Sequence, residues 1–136
     1  MKLLNQTYPE YGGLILRLSL GVMWLAHAGL KLFVFTIPGL SAWLPTVGFP
    51  SFLAIPLVSA EIIGGTMILL GIYSRYVSIA LLPILLGALF IHSGNGWVFT
   101  AQGGGWEYPL FLITASISHI LIGDQMFALR KSAQKN

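Results

Sequence analysis

The residues that could do chemistry in this sequence are ionisable side chains inside long apolar stretches. They are, in chain order, Arg17, His27, Lys31, Glu61, His92, Glu107, His119 and Asp124. An unpaired charge at mid-bilayer costs about 2.5–3.5 kcal/mol on insertion scales, so such residues are rare and generally paired or functional. Histidine and carboxylate side chains move protons, and Lys and His donate hydrogen bonds to carbonyl oxygens. The set predicts a ligand or proton-handling site within a membrane.

The composition indicates that these residues belong to a membrane protein. The chain has 136 residues, of which 56% are hydrophobic and 8% are charged, and it contains no cysteine. A soluble domain carries about 25% charged residues. The missing cysteine excludes disulfides, thiol catalysis and thiolate-bound metal. The seven Lys and Arg residues are scattered, so no nucleic-acid surface is expected.

Four apolar segments are long enough to cross a bilayer as helices, since a crossing needs about 20 residues. They cover about residues 13–35, 52–72, 76–92 and 108–129. The chain from 1 to 136 is therefore predicted to be a single all-α domain, an integral membrane four-helix bundle. Residues 36–51 and 93–106 contain Trp and no charge, and we expect them to be interfacial loops.

The distribution of Lys and Arg predicts the orientation of the bundle. The connections and tails that carry these residues contain Lys2, Arg75, Arg130, Lys131 and Lys135, whereas the two long loops contain none. Basic residues concentrate on the cytoplasmic side of membrane proteins. Both termini and the turn around Arg75 are therefore predicted to be cytoplasmic.

Depth along the helices sorts the ionisable residues into two layers. The lower layer is predicted to hold Arg17, Glu61, His119 and Asp124. Arg17 is expected to form a structural ion pair with Glu61, with Asp124 as the alternative partner. Glu61 shares a helix face with Gly64 and Gly65, and such small residues let another helix approach closely. His119 is expected to have its hydrogen bonds satisfied within the core, beside Ser116.

The upper layer is the candidate ligand site and holds His27, Lys31, His92 and Glu107, with Glu61 as its floor. Lys31 and Glu107 are expected to pair beneath the two uncharged loops. The alternative for Glu107 is a helix-end carboxylate, stabilised by the positive N-terminal end of the last helix. The loop aromatics Trp43, Phe49, Trp97 and Phe99 would wall such a pocket from lipid.

Several of these residues fall in motifs that resemble those of the DoxX family of small four-helix bacterial membrane proteins. The motifs are Arg17-x3-Gly21, Gly29-x-Lys31, Gly48-Phe-Pro50, Glu61-x2-Gly64-Gly65, Gly71-x3-Arg75 and the string GGGWEYPLF at 103–111. The resemblance implies residence in the bacterial cytoplasmic (inner) membrane. It also implies an association with membrane redox work, since relatives of this family include a small subunit of a thiosulfate:quinone oxidoreductase.

Two classes of function remain open at this point. The first is an accessory subunit of a redox system that binds a quinone and exchanges electrons or protons with a partner enzyme. The residue types favour a quinone, whereas a haem between His27 and His92 is disfavoured because a narrow bundle offers little room. No metal site is predicted. The second class is a non-enzymatic membrane scaffold or small-molecule carrier, and a homo-oligomer is an open alternative in either class.

Overall fold

The computed structural model describes residues 2–133, with side-chain surroundings from residue 4 onward. The described chain is all-helical, as predicted. Its α-helices are α1 (Pro9–Gly29), α2 (Ile37–Trp43), α3 (Ala54–Leu70), α4 (Ser74–His92) and α5 (Glu107–Ile122). Short 3-10 turns cover Lys2–Asn5, Leu44–Val47, Ser51–Leu53 and Ser93–Asn95, and a π-helical turn, Leu30–Val34, extends α1.

Three helical segments are long and apolar enough to span a membrane. They are Pro9–Val34, Ser51–Leu70 and Ser74–Asn95. The α5 helix is equally apolar but has 16 residues, which corresponds to about 24 Å of helix. The large hydrophobic side chains exposed along these helices, such as Ile15, Ile63 and Phe90, fit an environment of lipid.

Glycines allow α1 and α3 to pack closely. A Cβ atom added to Gly21 would lie 2.8 Å from the backbone nitrogen of Leu69, and one added to Gly65 would lie 2.8 Å from the Cβ of Trp24. On the next face, a Cβ at Gly64 would collide with Leu81 of α4. The predicted close approach beside Glu61 is therefore confirmed, and the glycines fix the antiparallel register of α1 and α3.

An apolar cluster fills the middle of the bundle and separates its two ends. It is formed by Leu20, Trp24, Ile68, Leu81, Leu85, Leu112 and Ile113. We call the end that contains residues 70–75 and 123–133 the turn end. The opposite end, with α2 and residues 93–106, is the loop end, and a second apolar cluster there joins Ala28, Leu40, Leu44, Ala54 and Val58.

Two segments differ from the sequence prediction. The last helix ends at Ile122 instead of near residue 129, because Gly123 adopts a φ of 94° and the chain turns back. Residues 123–133 then bond to the α3–α4 turn, with Arg130 N donating to Gly71 O at 3.0 Å and Tyr73 N donating to Arg130 O at 2.8 Å. Within the predicted loop 36–51, the chain forms α2, whose first turn is capped by the Thr36 hydroxyl.

Gly21→Ala tests the close packing of α1 on α3. The new methyl group would meet the Leu69 backbone, which cannot rotate away, so the helices must separate. We expect the free energy of unfolding to fall by about 1–3 kcal/mol, measured by denaturant titration in micelles. Gly29→Ala is the matched control, because nothing lies within 4 Å of its added Cβ. Equal stability of the two variants would contradict the packing.

Candidate functional site

An ion pair between α1 and α3 dominates the loop end of the bundle. Lys31 Nζ donates to Glu61 Oε1 at 2.9 Å and to Glu61 Oε2 at 3.0 Å. Within residues 2–133 it is the one salt bridge. The Glu61 side chain is 2% exposed and the Lys31 side chain is 21% exposed. The carboxylate is therefore enclosed, whereas part of the Lys31 side chain is exposed.

The register of α1 and α3 explains why Glu61 bonds to Lys31. Gly21 lies opposite Leu69 and Leu25 lies opposite Gly65, so the same antiparallel register places Glu61 opposite Gly29, two residues before Lys31. The same register brings Arg17 beside Gly71, at the other end of α3. The predicted Arg17–Glu61 pair is therefore wrong, because about three turns of helix and the central apolar cluster separate the two residues.

The backbone directly after Lys31 is irregular. Phe35 N bonds to Leu30 O at 3.0 Å, five residues back, which defines the π-helical turn. Thr36 then has φ 63° and ψ 158°, a region that is essentially restricted to glycine. Such π turns and strained residues concentrate at functional sites. Here they end the span and lead the chain into α2.

His27 lies one turn before Lys31 and presents one ring nitrogen as an acceptor. Its Nδ1 lies 3.1 Å from the Met23 sulfur. Because a thioether only accepts, Nδ1 is the donor in this contact, and Nε2 is a hydrogen-bond acceptor whenever the ring is neutral. The edge of the ring packs against Tyr108, with ring centres 5.8 Å apart. Of the five predicted ligand residues, His27, Lys31 and Glu61 thus lie in one region of the loop end.

His92 and Glu107 are engaged elsewhere at the loop end. His92 Nδ1 bonds to the Ala88 carbonyl at 2.7 Å, within its own helix. Glu107 accepts a hydrogen bond from Phe99 N at 2.8 Å, and its own backbone N donates to Trp97 O. The expected Lys31–Glu107 pair is therefore wrong, because the Glu107 carboxylate caps the preceding loop. This agrees with the alternative of a helix-end carboxylate.

The predicted walls of the pocket are also arranged differently. Phe49 packs edge-on against Phe90, and Trp97 packs against Trp106 with ring centres 4.5 Å apart. Trp43, Trp97 and Phe99 remain exposed. These rings line the rim of the loop end instead of enclosing the Lys31–Glu61 pair.

A second polar cluster lies at the turn end and holds Arg17, His119 and Asp124, all fully buried. Arg17 Nη2 donates to the Met126 carbonyl at 2.9 Å, and its Nε and Nη1 atoms have no hydrogen-bond partner within the described residues. Asp124, the alternative partner of Arg17, shares the cluster without a direct ion pair in residues 2–133. The positive Arg17 and the negative Asp124 are nonetheless buried in the same cluster.

Asp124 holds the C-terminal segment in place. It accepts from Ser74 Oγ at 2.6 Å, Arg75 N at 3.2 Å and Ser132 N at 2.7 Å. Because Ser74 gives its proton to Asp124, His119 Nε2 must donate to Ser74 Oγ, 3.1 Å away. His119 thus bonds across to α4 and not to Ser116 as expected. Sequence reasoning missed Ser74 and Ser132, whose roles follow from the fold-back of residues 123–133.

The same hydrogen bonds set the acidity of Asp124. Burial raises the pKa of this carboxyl group, but the donors Ser74, Ser132 and Arg75 N outweigh burial, so the pKa lies below the ordinary value of aspartate. The carboxylate is therefore kept charged inside a nearly closed polar pocket.

The site and fold together define a small helical membrane protein with two buried charged clusters, one at each end. Residues 12–94 match the model of the DoxX family. Because the match covers more than half of the chain, the protein belongs to the DoxX family. A relative from Bacillus subtilis (strain 168), named "Putative oxidoreductase CatD", is 29% identical over 126 residues, 93% of this chain and 89% of that protein. No solved structure matches the chain significantly.

Lys31→Met tests the ion pair at the loop end. The substitution leaves Glu61 buried without its cation, so the free energy of unfolding should fall by about 3–5 kcal/mol. The double variant Lys31→Met with Glu61→Leu should recover most of this loss, because an apolar pair of similar volume needs no partner. Denaturant titrations of the two single variants and the double variant measure the coupling, and additive effects would contradict the pairing.

Asp124→Asn tests the turn-end cluster through pH. The folded-state pKa is depressed, so the contribution of Asp124 to stability is present above the unfolded pKa, about 3.9, and is lost as the pH falls through the lower folded pKa. At neutral pH the variant should lose about 2 kcal/mol of stability, and its stability should vary less with pH below 4. Glu10→Gln, at an exposed position, is the control. Parallel acid profiles of wild type and Asp124→Asn would refute this role.

Proposed function

We propose that this protein is a quinone-linked accessory component of a membrane redox system. The observation that carries the proposal is the enclosed Glu61 carboxylate, bonded to the partly exposed Lys31 beside the free acceptor Nε2 of His27. A quinone site needs an apolar setting, a donor to a carbonyl oxygen and a group that takes up protons. Lys31, His27 and Glu61 have these three chemical capacities.

The reaction that these groups suit is the interconversion of a quinone and its hydroquinone. Oxidation of a hydroquinone releases two protons and two electrons. His27 Nε2 accepts one proton, and Glu61 accepts the other when the quinone carbonyl takes over the Lys31 ammonium. The two electrons are taken up by an oxidising group on a partner protein, which the proposal requires.

The name of the relative supports the redox assignment. The Bacillus subtilis protein is named an oxidoreductase, and the aligned region includes nearly the whole of both chains. The irregular backbone from Leu30 to Thr36 adds a structural reason, because it occurs directly beside Lys31.

A second candidate is a membrane scaffold or small-molecule carrier without enzymatic activity. Two contacts favour it. Among the described residues, Lys31 and Glu61 neutralise each other without a third charged group. The Glu107 carboxylate is already bonded to Phe99 N in the preceding loop. In this alternative the loop-end pair fixes the register of α1 and α3 and has no ligand.

We further propose that the turn end faces the cytoplasm and that the protein resides in the bacterial cytoplasmic membrane. Arg75, Arg130 and Lys131 all lie at the turn end, whereas both loop-end connections lack Lys and Arg. This asymmetry is the basis of the positive-inside rule. Cysteine labelling at Trp97 from the outside and at Lys131 from the inside tests the orientation.

The quinone proposal is tested by titrating decylubiquinone into the purified protein in lipid nanodiscs. We expect saturable binding by the wild type and about tenfold weaker binding by His27→Phe, which keeps the ring against Tyr108 and removes the acceptor. Glu61→Gln should weaken binding to a similar degree. Ser118→Ala, at a half-buried position of α5, is the matched control.

The two candidate functions predict different outcomes in this titration. Binding that is unchanged in His27→Phe and Glu61→Gln, or absent in the wild type, would contradict the quinone site and favour the scaffold. Circular dichroism of each variant verifies that its helices are intact.

A further inference from the structure

A shallow apolar groove of about 530 Å³ lies on the outside of the bundle near the turn end. Its lining residues are Met67, Tyr73, Tyr76, Val77 and Ala80. The groove follows α4 from its start for about two turns, or about 10 Å. Neither the loop-end pair nor the Asp124 cluster contributes to it, so it is separate from the site described above.

A guanidinium group lies at the mouth of the groove, over the Tyr73 ring. The Cζ atom of Arg130 lies 5.6 Å from the centre of the Tyr73 ring, and Tyr73 stacks on Tyr76 with ring centres 6.5 Å apart. The backbone of Arg130 is held on both sides by hydrogen bonds to Gly71 and Tyr73. Within residues 2–133, Arg130 has no carboxylate within 4 Å.

The charges around this mouth are mainly positive. Lys131 is exposed next to Arg130, and Arg75 lies in the same turn, with its Nε bonded to Ile120 O at 2.7 Å. Of the acidic groups at this end, Asp124 is fully buried and occupied by its donors, and Glu10 is exposed on α1. The exposed Phe127 and Leu129 side chains precede Arg130 in the chain.

We propose that this groove is a binding site for an anionic phospholipid. One acyl chain lies along Met67, Val77 and Ala80, and the phosphate group bonds to Arg130, whose guanidinium is oriented by the Tyr73 ring. The two features match the two parts of one molecule. The groove, about 10 Å long, accommodates part of an apolar chain, and Arg130 binds the anionic head at the interface. Lys131 adds attraction for the head without contributing to the groove.

Native mass spectrometry tests the site after reconstitution in vesicles of phosphatidylglycerol and phosphatidylcholine in equal amounts. The wild type should retain phosphatidylglycerol preferentially. Arg130→Gln should reduce this preference about fivefold, and Lys131→Gln should reduce it less. Ala80→Phe should lower the retention of both lipids by filling the groove, whereas Ile79→Phe, at the neighbouring exposed position, is the matched control.

Five outcomes would overturn the proposal. Equal effects of Arg130→Gln and Lys131→Gln would mean that the anionic lipid is attracted to basic residues in general. Lipid retention that is unaffected by Ala80→Phe would mean that the groove holds no acyl chain. Displacement of the lipid by inorganic phosphate would indicate an anion site without a tail requirement. Lipid retention that appears only in a chain ending at Ala133 would assign the groove to the chain's own C-terminal end. A crosslink between two chains through Ala80→Cys would assign it to a second copy.

Discussion

A carboxylate within an apolar bundle needs a cation, and the geometry of this protein makes Lys31 the cation for Glu61. Their contact requires α1 and α3 to lie close enough for one ammonium group to reach both carboxylate oxygens, at 2.9 and 3.0 Å. Gly21 and Gly65 make that distance attainable, because a methyl group at either position would collide with the facing helix. The close packing then buries Trp24 and Ile68 between the helices. Charge pairing and apolar packing therefore depend on the same short interhelical distance.

The central apolar cluster gives the two ends of the bundle independent chemistry. Along α1, Leu20 and Trp24 separate Arg17 from Lys31, and along α4, Leu81 and Leu85 separate Ser74 from His92. The loop end thus combines a partly exposed lysine side chain with an enclosed carboxylate. At the turn end, buried groups are used to satisfy backbone: Arg17 bonds to the Met126 carbonyl, and Asp124 bonds to the Arg75 and Ser132 amides. A segment near lipid must satisfy its backbone internally, which explains why charged residues close this end.

Helix positions were predictable from the sequence because the apolar runs are long, and the glycine face beside Glu61 predicted the tight packing. The pairing of the charges was not predictable, since periodicity gives the face of a helix but not its register against a neighbour. Depth estimates put Arg17 near Glu61, but the contacts of Gly21 with Leu69 shift α1 so that Arg17 meets Gly71. The end of the last helix was also missed. Residues 126–129 are apolar enough to continue a span, but the positive φ of Gly123, Gln125 and Phe127 and the donors around Asp124 turn the chain back.

The string GGGWEYPLF illustrates how a distinctive motif can serve the backbone instead of a ligand. It lies beyond residues 12–94, the part that matches the family model. Gly105 packs against the carbonyl oxygens of Trp97 and Val98, where any side chain would collide, and Glu107 closes the same loop by accepting from Phe99 N. Trp106 packs its ring on Trp97 across the turn. Gly105, Trp106 and Glu107 thus serve the structure of the loop 97–107, whereas Tyr108 of the same string packs against His27, one turn before Lys31.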